Sequence, residues 1–401
     1  MRISPDRPLN VVPATVLDYR ELARRRLPRQ LFDYVDGGAY EEVTMRANVT
    51  DLERVLLRQR VMRDVSARDH ATEVLGERLA SPFVLAPVGL AGMCAPRGEV
   101  QAARAAQGAG VPFVESTLSV CGVEEVARAT SSPPWYQLYV MRDRGYAEDL
   151  MSRAHAVGSP VLVLTVDLAV VGARHRDTRN AAVGETSSWA KLRRGADLIG
   201  HPRWIRSVAL GGRPLTFGNL EKAVPDASTP AAFRSWVDAQ FDPSVTWDDI
   251  AWVRENWSER LVVKGVLDAE DARRAADAGV DGIVVSNHGG RQIDALPAAI
   301  DALPAIAAQV GTRATVLWDS GVRSGVDVAR ALALGASAAF AGKAFLWGLG
   351  ALGEDGPSHV IDLLVEELRA TLGQVGAEVA DARTVEVRHE GALRFEAPSP
   401  G

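Results

Sequence analysis

The chain has 401 residues, of which 47% are hydrophobic and 24% are charged, so it can bury a large core and is not disordered in bulk. Its formal net charge of −6 gives no indication of nucleic-acid binding, and its two cysteines exclude a disulfide framework and a structural zinc site. The residues before 27 lack the apolar core of a signal peptide. No apolar run reaches the roughly 18 residues of a membrane-spanning helix. We therefore expect a cytoplasmic protein, or one that lies peripherally on the inner face of the membrane.

Residues 1–60 are predicted to form a helical N-terminal extension, and a regular alternation follows it. Eight short apolar runs alternate with helical stretches rich in alanine, arginine and glutamate. The runs lie at 83–88, 111–116, 135–140, 160–167, 260–265, 281–286, 314–320 and 336–342. Strands that alternate with helices predict parallel βαβ units, and eight such units fit a closed barrel better than an open doubly wound sheet. The sequence thus predicts an α/β fold, a (β/α)8 TIM barrel over residues 61–380.

One long connection interrupts this repeat. The fourth run starts at 160 and the fifth at 260, so residues 170–245 are predicted to form an inserted loop after strand four. Its segment 189–213 holds six Lys/Arg, one acidic residue and two tryptophans. Such a basic, amphipathic stretch can lie in a membrane interface, and the alternative is a lid over the barrel mouth. Residues 387–401 are predicted to be a C-terminal tail.

The segment SNHGGRQID, residues 286–294, follows the sixth apolar run and holds the first candidate for chemistry. Active sites of (β/α)8 barrels lie at the C-terminal ends of the strands. His288 is predicted to occupy such an end beside two glycines, which permit close approach of the backbone to a ligand. Histidine suits general-base work near neutral pH, and Asp167 after the fourth run would orient it. The alternative is a histidine that only packs in the core or lies on the surface.

Other charged residues at predicted strand ends favour the binding of anions. Arg291 and Arg174 offer the guanidinium fork that matches a carboxylate, although surface salt bridges would also account for them. Lys264 ends an apolar strand, where a buried cation needs an anionic partner. Asp319 and Lys343 follow the seventh and eighth runs, where such barrels form phosphate sites. Because no dinucleotide or P-loop glycine motif occurs at a strand–helix junction, we expect a phosphate-bearing cofactor other than a nicotinamide or ATP.

The motif SNHGGRQID resembles the signature of the FMN-dependent α-hydroxy acid dehydrogenase/oxidase family, which includes glycolate oxidase, L-lactate dehydrogenase and mandelate dehydrogenase. The resemblance extends from about residue 14 to 380 and is greatest to the L-lactate and mandelate dehydrogenases. The matching segments are 27–39, 86–93, 116–127, 135–145, 164–167, 172–180, 241–257, 262–267 and 319–336. The resemblance implies an FMN cofactor, a 2-hydroxy acid substrate and a homo-oligomer, often a tetramer in this family.

The resemblance also implies roles for individual residues. His288 would take the proton of the substrate hydroxyl while the Cα hydrogen leaves as hydride to flavin N5; in the alternative carbanion route the same histidine takes the Cα proton. Asp167 would stabilise the imidazolium. The substrate carboxylate would be held by Arg174 and Arg291 with the hydroxyls of Tyr34 and Tyr139. Tyr34 is found only through the resemblance, since its pattern alone predicts core packing.

Cofactor contacts follow from the same resemblance. Lys264 would lie near flavin N1/O2 and stabilise the reduced, anionic ring. The ring and ribityl chain would be surrounded by Pro87, Val88, Gly89, Ser119, Gln137, Thr165 and Ser286. The ribityl and phosphate end would be held by Asp319, Gly321, Arg323, Gly342 and Lys343. Two positions depart from the family pattern: Lys343 stands where arginine is usual, and Trp318 replaces a small aliphatic residue.

Substrate and electron acceptor remain open at this level. Gly89, where oxidases of the family commonly carry alanine, favours a dehydrogenase that passes electrons to a quinone or another carrier. The motifs favour L-lactate over L-mandelate, although the small residues Val170, Val171 and Cys121 would leave room for an aromatic ring. An oxygen-using 2-hydroxy acid oxidase is a further alternative within the family. Outside it stand a flavin-free barrel lyase or isomerase, a flavin-dependent amine or peptide oxidase, and a non-catalytic binding protein.

Overall fold

Eight parallel strands form the central sheet of the computed structural model, which describes residues 12–66, 69–180, 188–221, 239–379 and 382–393. In chain order they are β1 Phe83–Leu85, β2 Val114–Ser116, β3 Trp135–Tyr139, β4 Val161–Thr165, β5 Arg260–Val266, β6 Gly282–Val285, β7 Thr315–Trp318 and β8 Ala338–Ala341. β8 pairs with β1 through Ala341 and Leu85, and a bridge from Leu85 to Phe113 leads to β2. The ring of strands is therefore closed, and the predicted (β/α)8 TIM barrel is confirmed.

The strands separate two apolar layers, because successive side chains of a strand point to opposite faces. Val161 and Val163 of β4 belong to a buried cluster inside the barrel, together with Phe340 of β8. Leu162 and Leu164 belong to the larger cluster between the sheet and the surrounding helices. Since apolar side chains fill the barrel interior, a ligand site can form only at the ends of the strands.

The outer layer consists mainly of helices that follow the strands. They span Gly98–Gly108, Val123–Arg128, Arg144–Ala156, Asp249–Asn256, Ala269–Asp277, Ala299–Val310, Gly325–Ala333, Lys343–Leu352 and Asp355–Val375. Several begin at a side chain that accepts hydrogen bonds from the first free backbone N–H groups. Asp268 accepts from the amides of Glu270 and Asp271, and Ser324 and Asp327 form a reciprocal capping box. These caps fix where each helix starts after its strand.

A hairpin covers the N-terminal end of the barrel. Its strands, Thr72–Val74 and Glu77–Leu79, pair antiparallel across a turn whose two central residues both have positive φ. Val74 and Leu79 are buried in the cluster inside the barrel. The indole N–H of Trp135 donates to Glu77 Oε1 at 3.0 Å. The hairpin is absent from the sequence-based prediction.

The described part of the N-terminal extension, from residue 12, contains three helices, Val16–Arg26, Arg29–Asp36 and Val43–Glu53. The first packs against the helix Lys343–Leu352, where the absence of a side chain at Gly350 admits Leu27. This docking leads the second helix to the C-terminal ends of the barrel strands. Leu56–Leu57 then pairs antiparallel with Val387–Arg388, so the start of the predicted tail is held against the extension. The remainder of that predicted tail, 394–401, lies outside the described residues.

The predicted insertion after β4 contains the helices His175–Arg179, Ser188–Ile199 and Pro202–Trp204, followed by a π-helical turn at Ile205–Leu210. Its parts at 181–187 and 222–238 lie outside the described residues. Trp204 anchors it by donating to the backbone oxygen of Met93 at 2.8 Å. Asn219 Nδ2 donates to the Ser116 carbonyl oxygen at 3.0 Å, beside β2. Within the described ranges, no helix is both long enough and apolar enough to cross a membrane.

Candidate active site

The structure brings most of the predicted site residues together around one cavity at the C-terminal ends of the strands. Those that line it are Tyr34, Pro87, Val88, Gly89, Tyr139, Thr165, Arg174, Lys264, His288, Arg291, Asp319, Gly321, Arg323, Gly342 and Lys343. Other predicted residues stand behind the cavity wall: Asp167, Ser119, Gln137 and Ser286. The sequence did not predict several further lining residues, among them Met45, Asn48, Ser116, Leu118, Leu168, Phe217 and Phe241.

His288 lines this cavity and pairs with Asp167, which lies behind the wall. His288 Nδ1 lies 2.9 Å from Asp167 Oδ1. Burial lowers the pKa of His288, although Asp167 opposes that shift, so the imidazole is neutral near pH 7. Burial would raise the pKa of Asp167, but His288 and Lys264 more than offset this and hold it below its usual value. The ionised carboxylate therefore accepts from Nδ1–H, which leaves His288 Nε2 as the nitrogen able to take a proton.

Gly265 makes room for this pair. Its φ is +108°, and an added Cβ would lie 2.6 Å from both Cβ and Cγ of Asp167. No side chain fits there without displacing the carboxylate. A glycine is therefore needed at this position for two reasons, its backbone conformation and its contact with Asp167.

We predict that Gly265→Ala lowers kcat about 10- to 100-fold, since a displacement of about 1 Å at a reacting group can cost that much. Gly279→Ala is the matched control, because Gly279 also has a positive φ (+79°) but nothing lies within 4 Å of its added Cβ. Both variants should lose about 1–2 kcal/mol of stability from the backbone conformation. Thermal unfolding and steady-state kinetics separate the two effects, and equal kcat values in the two variants would contradict the prediction.

Two arginines face the cavity without a carboxylate partner among the described residues. Arg291 donates through one terminal nitrogen to the carbonyl oxygens of Tyr34 (2.8 Å) and Gly37 (2.7 Å). The guanidinium carbons of Arg291 and Arg174 lie 5.2 and 6.0 Å from the centroid of the Tyr34 ring. Burial, with the charge of Arg174, lowers the pKa of Arg291 to about 10. Two partly buried positive charges with no carboxylate counterion among the described residues form a site for an anion such as a carboxylate.

Tyr139 closes the same region from β3. Burial, followed by the charge of Asp167, raises the pKa of its hydroxyl, so it remains a hydrogen-bond donor at any physiological pH. Its ring meets the edge of Phe241 at a centroid distance of 5.3 Å. Tyr139 therefore combines a polar group for a ligand with an apolar wall.

Lys264 lies beneath the cavity beside Ser286. Its Nζ is 2.9 Å from Asp319 Oδ2 and donates to Ser286 Oγ, also at 2.9 Å. Burial would lower the pKa of Lys264, but Asp319 and Asp167 more than offset this and raise it, so the ammonium is retained. Ser286 Oγ also accepts from the backbone N–H of His288 at 3.0 Å. Ser286 thus supports the lysine and the histidine and does not itself line the cavity.

A second group of cations lies at the β7 and β8 end of the cavity. Lys343 Nζ donates to the carbonyl oxygens of Asp36 (2.7 Å) and Gly37 (3.1 Å). Burial, with the charges of Arg291 and Arg323, lowers the pKa of Lys343 well below its usual value. Arg323 stacks 4.6 Å from the Trp347 ring, and burial lowers its pKa to about 10. Neither cation has a carboxylate within salt-bridge distance in the described ranges, which suits a phosphate.

Donors with no protein acceptor complete the cavity wall and its surroundings. Gln137 Oε1 accepts from Ser116 Oγ at 3.1 Å, which orients the amide. Its Nε2, like the hydroxyl of Thr165, is buried and has no hydrogen-bond partner among the described residues. Such groups suit a ligand that carries its own acceptors, as a flavin ring does. The described ranges contain no group of His, Cys, Asp and Glu that could hold a metal ion.

A sequence profile of the FMN-dependent dehydrogenase family matches residues 23–388. The chain belongs to this family. The L-lactate dehydrogenase of Caulobacter vibrioides is 51% identical over 366 residues, which cover 91% of this chain and 95% of that protein.

Solved structures extend the comparison. The monotopic membrane protein (S)-mandelate dehydrogenase superposes with a TM-score of 0.87 at 36% identity, covering 95% of this chain and all of that one (100%). Mandelate oxidase gives a TM-score of 0.79 at 37% identity, covering 94% and 99%. As an FMN-dependent dehydrogenase, the chain is an oxidoreductase with FMN as its cofactor. The cations and unpartnered donors of the cavity fit that cofactor.

The two departures from the family pattern have different surroundings in this FMN-dependent dehydrogenase. Trp318 is fully buried between the sheet and the helices, so its bulk lies outside the cavity. Its indole N–H has no hydrogen-bond partner among the described residues, and nothing in the structure explains why tryptophan stands there. Lys343 lines the cavity beside Arg323 and would offer a phosphate a point charge where arginine offers a fork.

Proposed function

We propose that this FMN-dependent dehydrogenase oxidises L-lactate to pyruvate. The observation that carries the proposal is the placement of the neutral His288, paired with Asp167, beside two partly buried arginines that lack a carboxylate counterion among the described residues. A 2-hydroxy acid offers one group to each partner, a carboxylate to the arginines and an adjacent hydroxyl to the histidine. The identity of 51% to a protein named L-lactate dehydrogenase supports the choice of substrate.

The proposed roles follow from the contacts. Arg174 and Arg291 would hold the carboxylate, with the hydroxyls of Tyr34 and Tyr139 as further donors. His288 Nε2 would then accept the proton of the substrate hydroxyl, and Asp167 would stabilise the resulting imidazolium.

The cofactor supplies the redox step. When bound, FMN would supply an acceptor for the hydride that leaves the substrate Cα. Lys264, with a retained positive charge, would face the ring and favour negative charge there. At the other end Lys343 and Arg323 would hold the phosphate, and Gln137 and Thr165 would donate to the cofactor between these two ends.

Apolar side chains bound the cavity where the substituent of the acid would lie. Phe241 packs against Tyr139, and Phe217 and Leu168 also line the cavity. These large side chains favour the methyl group of lactate over a phenyl ring. The alternative substrate is (S)-mandelate, which the similarity to mandelate-oxidising structures supports.

The experiment is an anaerobic titration of the purified protein with L-lactate, followed by its visible spectrum. The proposal predicts a yellow protein that is bleached by L-lactate. Bleaching by (S)-mandelate alone would retain the reaction class and change the substrate. A yellow protein that no 2-hydroxy acid bleaches would overturn the proposal.

The proposal extends to the electron acceptor, the membrane and the oligomer. A quinone as acceptor would require membrane contact, and the segment 189–213 offers a surface for it. Leu192, Ile199 and Leu210 expose 64%, 76% and 60% of their surface, and Arg203 and Arg206 lie in the same segment. Exposed apolar side chains among arginines suit an anionic lipid interface.

A homotetramer is proposed from the family resemblance, and light scattering after gel filtration would measure it.

Sedimentation with vesicles tests the membrane contact. The variant with Leu192→Asp, Ile199→Asp and Leu210→Asp should lose binding to vesicles of phosphatidylcholine and phosphatidylglycerol. Leu17→Asp is the control, because Leu17 is similarly exposed at 56% but lies on the N-terminal extension. Equal sedimentation of all three proteins with vesicles would argue that 189–213 is only a lid.

A further inference from the structure

A partly buried ion-pair network, centred on the buried Asp36, links two segments that each supply a candidate substrate-binding residue. Arg176 donates to Asp36 Oδ2 at 2.7 Å and to Glu42 Oε2 at 2.6 Å. Arg20 grips the same Asp36 carboxylate with two bonds, at 2.5 and 2.8 Å. The Asp36 side chain is only 2% exposed. The network therefore joins the first two helices of the N-terminal extension to the segment that follows β4.

On each of the two segments, a residue of the network follows a proposed carboxylate-binding residue by two positions. Tyr34 precedes Asp36 by two positions, and Arg174 precedes Arg176 by two. The backbone N–H of Tyr40 also donates to the Ala173 carbonyl oxygen at 2.9 Å. The segments 33–42 and 173–180 are thus clamped together on either side of the cavity.

Further contacts extend the clamp in both directions. Asn180 Nδ2 donates to Asp33 Oδ2 at 2.7 Å. The carbonyl oxygen of Gly37, next to Asp36, accepts from both Arg291 and Lys343. A shift of the end of the helix Arg29–Asp36 would therefore move the acceptor that holds Arg291 and displace the Tyr34 ring from the two arginines.

Burial and charge show that the carboxylate depends on its partners. Burial would raise the pKa of Asp36, but the hydrogen bonds from Arg20 and Arg176 more than offset this and hold it below its usual value. Asp36 is thus a buried, ionised carboxylate. Loss of one arginine partner would leave its negative charge poorly neutralised. The segments are then expected to move apart or admit water.

We propose that Arg176 and Asp36 are positioning residues that assemble the site for the substrate carboxylate. They do not line the cavity and would act through Arg174, Tyr34 and Arg291. The inference rests on the proposed function in so far as the carboxylate belongs to a 2-hydroxy acid. On this proposal, the affinity of the site for carboxylates depends on the ion pair between Arg176 and Asp36, which are 140 positions apart in the sequence.

The test compares Arg176→Ala with Arg254→Ala in FMN-loaded protein. The side chains are equally exposed, 27% and 28%, and Arg254 also pairs with a carboxylate, that of Asp281, at 2.6 Å. Arg254 lies near the start of β5, at the opposite end of the barrel, where Asp281 accepts from the Leu261 amide. Both substitutions remove a partly buried ion pair, and only one lies beside the cavity.

Three measurements are made on each variant: kcat and KM for L-lactate, the binding of oxalate followed by the change in the flavin spectrum, and the melting temperature. Arg176→Ala should raise KM and the oxalate Kd about tenfold or more, with kcat lowered less than about threefold. Arg254→Ala should leave all three constants within about twofold, although its melting temperature falls. Asp36→Asn combined with Arg176→Ala should add little to the single variant, because both act on one contact.

Unchanged KM and oxalate Kd in Arg176→Ala would overturn the inference. If Arg176→Ala does not fold, the same constants are measured in Arg176→Lys. The lysine retains the charge but cannot reach Asp36 and Glu42 together. A wild-type KM and oxalate Kd in this variant would also overturn the inference. A wild-type protein that no 2-hydroxy acid reduces would instead defeat the proposed function. The oxalate measurement needs no turnover, and it would still decide whether Arg176 positions the anion site.

Discussion

Replacement of His288 by alanine is expected to leave FMN bound and to slow its reduction by L-lactate about 10²- to 10⁴-fold, the range that a positioned general base contributes. The structure leaves His288 Nε2 as the proton acceptor because Nδ1–H is held by Asp167. Stopped-flow absorbance of the flavin after anaerobic mixing measures the rate. His155→Ala serves as the control, since His155 is an exposed histidine outside the cavity. Wild-type reduction in the His288 variant would refute the assigned base.

The dependence of kcat/KM on pH checks the same assignment. The imidazole must be neutral to act, and burial lowers its pKa, so kcat/KM should be constant near pH 7 and fall only below the usual histidine value of about 6.5. Asp167 raises the pKa of His288. Asp167→Asn should therefore move the acidic fall to lower pH while reducing the maximal rate. A shift to higher pH would contradict the proposed pairing.

Replacement of Arg291 by alanine is expected to lower kcat/KM for L-lactate about 10²- to 10³-fold, because it removes a buried, charge-assisted contact to the carboxylate. Most of the loss should appear in KM if the contact is made equally in the ground state and the transition state. Arg291→Lys should recover part of the loss, since it restores the charge but not the fork.

The FMN content of both Arg291 variants provides the control. Arg291 lies beside the Tyr34 ring, whereas the proposed phosphate ligands lie at the ends of β7 and β8. The bound FMN per chain should therefore stay near the wild-type value. An alanine variant with unchanged kcat/KM would show that the substrate carboxylate binds elsewhere.

Much of the barrel could be predicted because its strands are short apolar runs between helical stretches, and each of the eight runs contains or overlaps a strand. The hairpin Thr72–Val74 and Glu77–Leu79 could not. Its strands have three residues each, and its turn residues are Leu75 and Gly76, of which only the glycine is a usual turn former. Val74 and Leu79 alone do not make a periodic pattern. The hairpin forms because the open end of the barrel supplies apolar surface for these two residues.

The site likewise contains residues that the sequence predicts and residues that it does not. His288, Arg291 and Lys264 lie at strand ends, where residue type and position predict a role in binding or chemistry. Arg176 and Asp36 meet only after the insertion and the N-terminal extension have folded onto the barrel, so no local pattern marks them. Phe217 and Phe241 are isolated aromatic residues in long connections, and periodicity does not identify such residues.

The hairpin across the N-terminal end of the barrel has a kinetic consequence. With Val74 and Leu79 filling that end, we expect the substrate and the electron acceptor to reach the site from above the C-terminal ends of the strands, where the described cavity lies. We expect the acid product to leave before the acceptor reaches the cofactor. Initial rates should then follow a double-displacement pattern, with parallel reciprocal plots when L-lactate is varied at several fixed concentrations of acceptor. On this expectation, a part of the fold far from the reacting atoms would determine the order in which the two reactants bind.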